Sequence, residues 1–188
     1  MLDQIARAAA AGVDWIQIRE KDLGTRPLLQ LVSAAVKTAS AFSTRIFVND
    51  RLDVALAAGA AGVHLGGESL PVAEVSRWKK ESRAPAGFLV GASCHSLEAA
   101  RAAEQDGADY LFFGPVFTTP SKMKYGPPLG LDHLRKSCAA IRIPVLAIGG
   151  ITLENAASCI EAGAAGIAAI RLFQGAENVD SIVAQLKG

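Results

Sequence analysis

"AAAAGVDWIQIRE" spans Ala8 to Glu20, and its order of parts returns three times: "ALAAGAAGVHLGG" from Ala55, "AAEQDGADYLFFGP" from Ala102 and "CIEAGAAGIAAIRLF" from Cys159. Each is the end of an alanine-rich helix, a glycine, then a short apolar strand. A glycine just past a helix permits the left-handed cap that turns the chain directly into a strand, so Gly12, Gly59, Gly107 and Gly163 mark helix-to-strand joints. Between joints lies a further apolar run after a polar or proline break: "TRIFVND", "GFLVGAS" and "IPVLAIGG". Continuous apolar strands separated by helical segments belong to a parallel sheet covered on both faces.

Seven strands are expected, near residues 14–19, 45–50, 62–66, 88–93, 109–114, 143–149 and 166–171. The joints recur 47, 48 and 56 residues apart, so each period holds two βα units. In every period but the first, an extra strand precedes the joint. A closed (β/α)₈ barrel needs eight strands and typically about 250 residues, with about 200 as the lower end. The expectation is therefore an α/β fold, a (β/α)₈ barrel in one domain over residues 1–188, beginning inside its first helix and lacking strand one. The competing architecture is an open doubly wound sheet; the fourfold repeat favours the barrel.

Composition narrows the function. With 51% hydrophobic residues the chain can bury a sizeable core, and 19 basic against 18 acidic residues imply no general attraction to nucleic acid or membrane. No apolar run reaches the roughly 18–20 residues of a membrane span, and the first residues lack the order of a signal peptide. The expected location is the cytoplasm. Cys94, Cys138 and Cys159 are odd in number and widely spaced, which indicates neither a disulfide framework nor a metal site. Oligomeric state stays open, a homo-oligomer included.

In such a barrel, chemistry gathers at the C-terminal ends of the strands. Those ends supply Gln17, Arg19 and Lys21; Asn49 and Asp50; Glu68 and Ser69; Ser93 and His95; Thr119, Ser121 and Lys122; Gly149 and Gly150; and Ile170 with Arg171. Strand alternation puts Gln17, Arg19 and Lys21 on one face, with Trp15 inward below them. Arginine forks and lysine ammoniums at one rim suit phosphate oxygens. Asp50 is a candidate Mg²⁺ ligand, or else half of an Asn-Asp pair capping the next helix. The Gly149 and Gly150 amides suit an anion. His64, inside an apolar strand, is expected to be structural, His133 to have no role, and Ser96 to cap a helix.

As an ordered set, "QIREK", "FVNDRLDVALAAGAAGVHLG", "GASCHS", "GADYLFFGPVFTTPSK", "IPVLAIGGI" and "AGAAGIAAI" resemble the thiamine phosphate synthase and thiazole tautomerase family, over about residues 12 to 173. The resemblance implies a (β/α)₈ barrel enzyme, a transferase that joins hydroxymethylpyrimidine diphosphate to a thiazole phosphate and releases diphosphate. By motif, Gln17 would contact the pyrimidine, and Arg19, Lys21, Asn49, Ser93 and Lys122 the diphosphate. Thr119 and Ser121 would meet the substrates, Gly149, Gly150, Ile170 and Arg171 the thiazole phosphate, and Asp50 would hold Mg²⁺. Two positions depart from the synthase pattern: Ser69 stands where a second carboxylate ligand is usual, and Arg171 where a serine is. Two other readings follow. One is a thiazole tautomerase, although this chain keeps "QIREK" and Asn49–Asp50 and has Pro115 where that branch would carry a histidine. The other is a thiazole-phosphate binding protein without catalysis.

Overall fold

The computed structural model describes residues 1–82, 84–119, 127–174, 176 and 178–187. Seven strands alternate with helices: β1 (Trp15–Ile18), β2 (Arg45–Asn49), β3 (Gly62–Leu65), β4 (Leu89–Cys94), β5 (Tyr110–Phe113), β6 (Val145–Ile148) and β7 (Gly166–Ala168). The helices are α1 (Leu2–Ala10), α2 (Thr25–Ala39), α3 (Leu52–Ala57), α4 (Val72–Glu81), α5 (Leu97–Gln105), α6 (Gly130–Ala140), α7 (Leu153–Glu161) and α8 (Val179–Lys187). Each strand pairs in parallel with the next, so spatial order equals chain order. That order excludes the doubly wound alternative, which requires the strand order to reverse at a switch point. The architecture is a curled, seven-stranded parallel half-barrel of the TIM type.

The four repeated joints are built alike. After α1, Gly12 N–H donates to Ala9 O and Val13 N–H to Ala8 O, both at 3.0 Å, with Gly12 at φ +89°. The same paired bonds follow α3, α5 and α7 at Gly59, Gly107 and Gly163. This closing pattern satisfies the last helical carbonyls and needs a left-handed residue. As expected, Ser96 caps α5, its Oγ accepting from Ala99 N–H at 3.1 Å.

Strand alternation divides the side chains into two sets. One set, including Ile18, Val48, Val63, Val90, Leu111 and Ala147, points outward and is buried under the helices. On α2 the matching stripe is Leu28, Val32, Ala35 and Ala39, spaced to cover one helical face. Each such aliphatic side chain contributes about 1.5–3 kcal/mol by burial. The other set points inside the curl and is aromatic. Trp15 and Phe47 rings lie 4.7 Å apart, and the Tyr110 ring is 4.9 Å from Trp15 and 5.6 Å from Phe112. Gly91 makes room for Tyr110, since a Cβ there would fall 2.1 Å from Tyr110 Cζ.

Around the outside, the last helix meets the first. α8 packs on α1, and Lys187 Nζ donates to Gly12 O at 2.7 Å and to Asp14 Oδ1 at 3.0 Å. The sheet does not close with them: β1 and β7 end the strand order, with no pairing between them among the described residues. Trp15, Ile16 and Gln17 on β1 and all of β7 are only half-buried, whereas β3 is buried throughout.

Candidate active site

The C-terminal strand ends form one rim, and most of the polar residues read from the sequence meet there. Gln17 and Asn49 sit one inward step above Trp15 and Phe47, with Gln17 paired to Phe47 in register and Asn49 to His64. Gln17 Nε2 donates to Asn49 Oδ1 at 3.0 Å, and Asn49 Nδ2 donates to Asp50 Oδ2 at 2.6 Å. Gln17 Oε1 is buried without a hydrogen-bond partner among the described residues.

Asp50 does not cap the next helix. The residue before α3 is Arg51, with no side-chain cap, while Asp50 adopts φ +63° and turns its carboxylate toward the loop after β3. There Ser69 Oγ donates to Asp50 Oδ1 and also accepts from Gly66 N–H at 2.6 Å. Ser69, which departs from the family pattern, thus braces the carboxylate. Glu68 is exposed beside it. Among the described residues no group of three or more His, Cys, Asp or Glu could hold a metal ion.

In the middle of the rim, His64 Nε2 lies 2.8 Å from Ser93 Oγ, and His64 Nδ1 lies 3.2 Å from the Tyr110 hydroxyl. The histidine expected to be merely structural therefore holds a candidate site residue. Serine beside histidine invites comparison with a nucleophile and its base. Two features oppose that role: no carboxylate backs the imidazole, and burial pushes His64 down to about 4, against a smaller upward pull from Asp50. A base that weak cannot take the Ser93 proton at neutral pH. What the pair can do is fix the direction of one hydroxyl.

The same burial has a consequence for stability. Because His64 is harder to protonate when folded than at its ordinary 6.5, the unfolded chain binds more protons between those values, and stability is lost as pH falls. We expect a loss of about 2 kcal/mol from this group between pH 7 and pH 5. Urea denaturation of the metal-free protein and of His64→Gln at both pH values checks it; equal pH dependence in the two would refute it.

The other end of the strand order, β6 and β7 with the chain after β5, completes the rim. Gly149 and Gly150 have φ +96° and +69°, and a Cβ on them would meet Pro115 Cα and Thr118 O, each at 2.6 Å. Their N–H groups donate to no backbone carbonyl among the described residues. Thr119 is buried, and its Oγ1 accepts from Arg171 Nη2, so the arginine after β7 ties down the chain leaving β5. Ile170 beside it is 59% exposed. Arg19 and Lys21 follow β1 as exposed cations with no hydrogen bond or ion pair among the described residues. Ser121 and Lys122 lie outside the described residues. His95 Nδ1 bonds Gly114 O, joining the ends of β4 and β5, and His133 Nδ1 bonds Leu129 O at 2.7 Å.

One rim thus carries an acceptor amide, unpaired cations and a pair of glycine amides. The profile of the thiamine monophosphate synthase family matches residues 1–173. The chain belongs to this family. A thiamine-phosphate synthase of Methanoculleus marisnigri is 46% identical over 180 residues, covering 96% of this chain and 83% of the relative. One from Chlorobium luteolum is 42% identical over 185 residues, covering 98% of this chain and 85% of the relative. The solved thiamine phosphate pyrophosphorylase of Pyrococcus furiosus superposes with a TM-score of 0.88 at 36% identity, over 99% of this chain and 87% of that one.

Proposed function

We propose that this rim joins hydroxymethylpyrimidine diphosphate to a thiazole phosphate, giving thiamine phosphate and diphosphate. The chain is a transferase of thiamine biosynthesis, in keeping with relatives named thiamine-phosphate synthase. The observation that carries the finer reading is the division of the rim. An unpaired buried acceptor and unpaired cations stand at β1, while the glycine amides and Arg171 stand at β6 and β7, on the other side of the opening in the sheet.

The chemistry asks for positioning and charge stabilisation. In the reaction a carbon–oxygen bond to diphosphate breaks and a carbon–nitrogen bond to the thiazole forms, with the amino-substituted ring carrying the positive charge between. Gln17 Oε1 accepts from the pyrimidine, and its burial makes that bond costly to leave unmade. Arg19, Lys21 and Lys122 meet the negative charge that grows on the departing diphosphate, helped by Asn49 and by the Ser93 hydroxyl that His64 aims. Gly149, Gly150, Thr119, Ser121 and the Ile170–Arg171 end of β7 receive the thiazole phosphate. Holding the two partners in line is worth several kcal/mol, on the order of the effect seen for well-oriented reactants.

Asp50 with the Ser69 hydroxyl offers hard oxygen atoms at one carboxylate, which fits a Mg²⁺ shared with substrate phosphates and does not fit a cage made by protein alone. When bound, Mg²⁺ neutralises charge on the diphosphate.

The proposal extends to the opening in the sheet. Among the described residues eight helices flank seven strands, α8 packs on α1, and β7 and β1 stay unpaired, which leaves room for one further strand between them. Since every other described helix follows a strand, a strand supplied ahead of α1 is the one proposed to fit there. The experiment is an assay of thiamine phosphate from the two substrates, with and without Mg²⁺, on this chain and on one extended upstream by a strand-forming segment. Product and diphosphate in equal amounts, abolished by chelation, are expected from the extended chain. No product from either, alongside an active control, would sink the synthase reading, and turnover of a carboxylated thiazole phosphate instead would replace it with the tautomerase.

A further inference from the structure

The Asp50 carboxylate accepts hydrogen bonds and, unlike an amide, has no N–H to give. It takes one from Asn49 Nδ2 at 2.6 Å. Asn49 is then committed: its nitrogen faces Asp50, so its Oδ1 faces Gln17 and accepts from Gln17 Nε2 at 3.0 Å. Gln17 is committed in turn, with its nitrogen toward Asn49 and its Oε1 left buried and without a partner among the described residues. Amide ends are interchangeable in shape, and the network alone decides which is which. Asp50 itself is held, its Oδ1 bonded by Ser69 and its N–H donating to His64 O at 2.9 Å.

We propose that Asn49 and Asp50 act as specificity-determining positioning residues: they lock Gln17 Oε1 as an acceptor, so that the site takes a pyrimidine bearing an exocyclic amino group and rejects one bearing an oxo group there. This rests on the synthase reading. An amino group donates to Oε1, whereas an oxo group sets one lone pair against another and leaves a buried acceptor unmatched. Sites built around a buried hydrogen bond discriminate strongly when it is lost, so the preference is expected to reach about 10²-fold or more.

The test compares kcat/KM for the aminopyrimidine diphosphate and its oxo analogue in the wild type and in Asn49→Leu. Leucine keeps the asparagine's shape and can neither donate nor accept, so Gln17 becomes free to turn its nitrogen toward the ring. The amino-to-oxo ratio is expected to fall from about 10² or more to within about tenfold. Loss of a diphosphate contact alone would lower both values together and leave the ratio unchanged, which would overturn the proposal. Asp50→Asn, which lets Asn49 reverse, is expected to lower the ratio as well. Where either variant turns over too slowly, calorimetric affinities for the two diphosphates give the ratio, with circular dichroism reporting the fold. Wild-type turnover without selectivity refutes this inference alone; absence of turnover on both substrates refutes the synthase reading and this inference with it.

Discussion

Arg19→Ala is expected to lower kcat/KM by about 10²-fold or more, since one preorganised donor to developing charge is worth about that much. Its thermal midpoint is expected to stay within about 2 °C of the parent. The separation of the two effects is the point. Arg19 is exposed beyond the end of β1 and bonds to nothing among the described residues, so deleting its guanidinium leaves no buried group unpaired. Arg19→Lys restores the charge without the planar fork and is expected to recover only part of the rate. Lys122→Ala, tested in parallel, is expected to lose about 10²-fold on the same grounds. Steady-state kinetics with a thermal melt on each variant decides the matter; near-normal turnover in both would remove the cations from the diphosphate site.

The second large effect is on stability. Gly91→Ala places a methyl carbon about where the Tyr110 ring stands, 2.1 Å from Cζ. The ring cannot simply slide, because Trp15, Phe47 and Phe112 surround it at 4.9, 5.6 and 5.6 Å. Displacing a large buried aromatic costs about 3–5 kcal/mol. For a chain of this length the midpoint should fall by on the order of 10 °C. A melt unchanged within error would mean that the interior layer is loosely packed. Tyr110 also holds His64 Nδ1, so the variant should lose the aim of Ser93 even where it remains folded.

Much of this was legible in the residues. The glycine after each alanine-rich helix located four joints because a left-handed turn into a strand strongly favours that residue, and the apolar runs located all seven strands. Strand parity put Gln17 and Trp15 on the inner face. The same parity, counted back from Gly66, also places His64 inside, but an apolar setting hid its contact with Ser93, which needs the register of β3 against β4. Asp50 stood between two readings because both begin with the same Asn-Asp pair; only the positive φ and the reach to Ser69, 19 residues on, separate them. Nothing local announces that Arg171 meets Thr119, since they stand 52 positions apart with two helices between them.

The clasp of Lys187 on Gly12 and Asp14 bears on the order of events in folding. It joins positions 175 residues apart in the chain. Bringing such distant points together from a disordered coil costs roughly 4–5 kcal/mol of loop entropy, far more than an exposed ion pair of about 0–1 kcal/mol returns. The clasp cannot gather the chain; it can only engage after successive βα units have added, each onto its neighbour, and carried α8 round to α1. It is a latch that records completion, and its breakage should be among the first steps when the molecule opens.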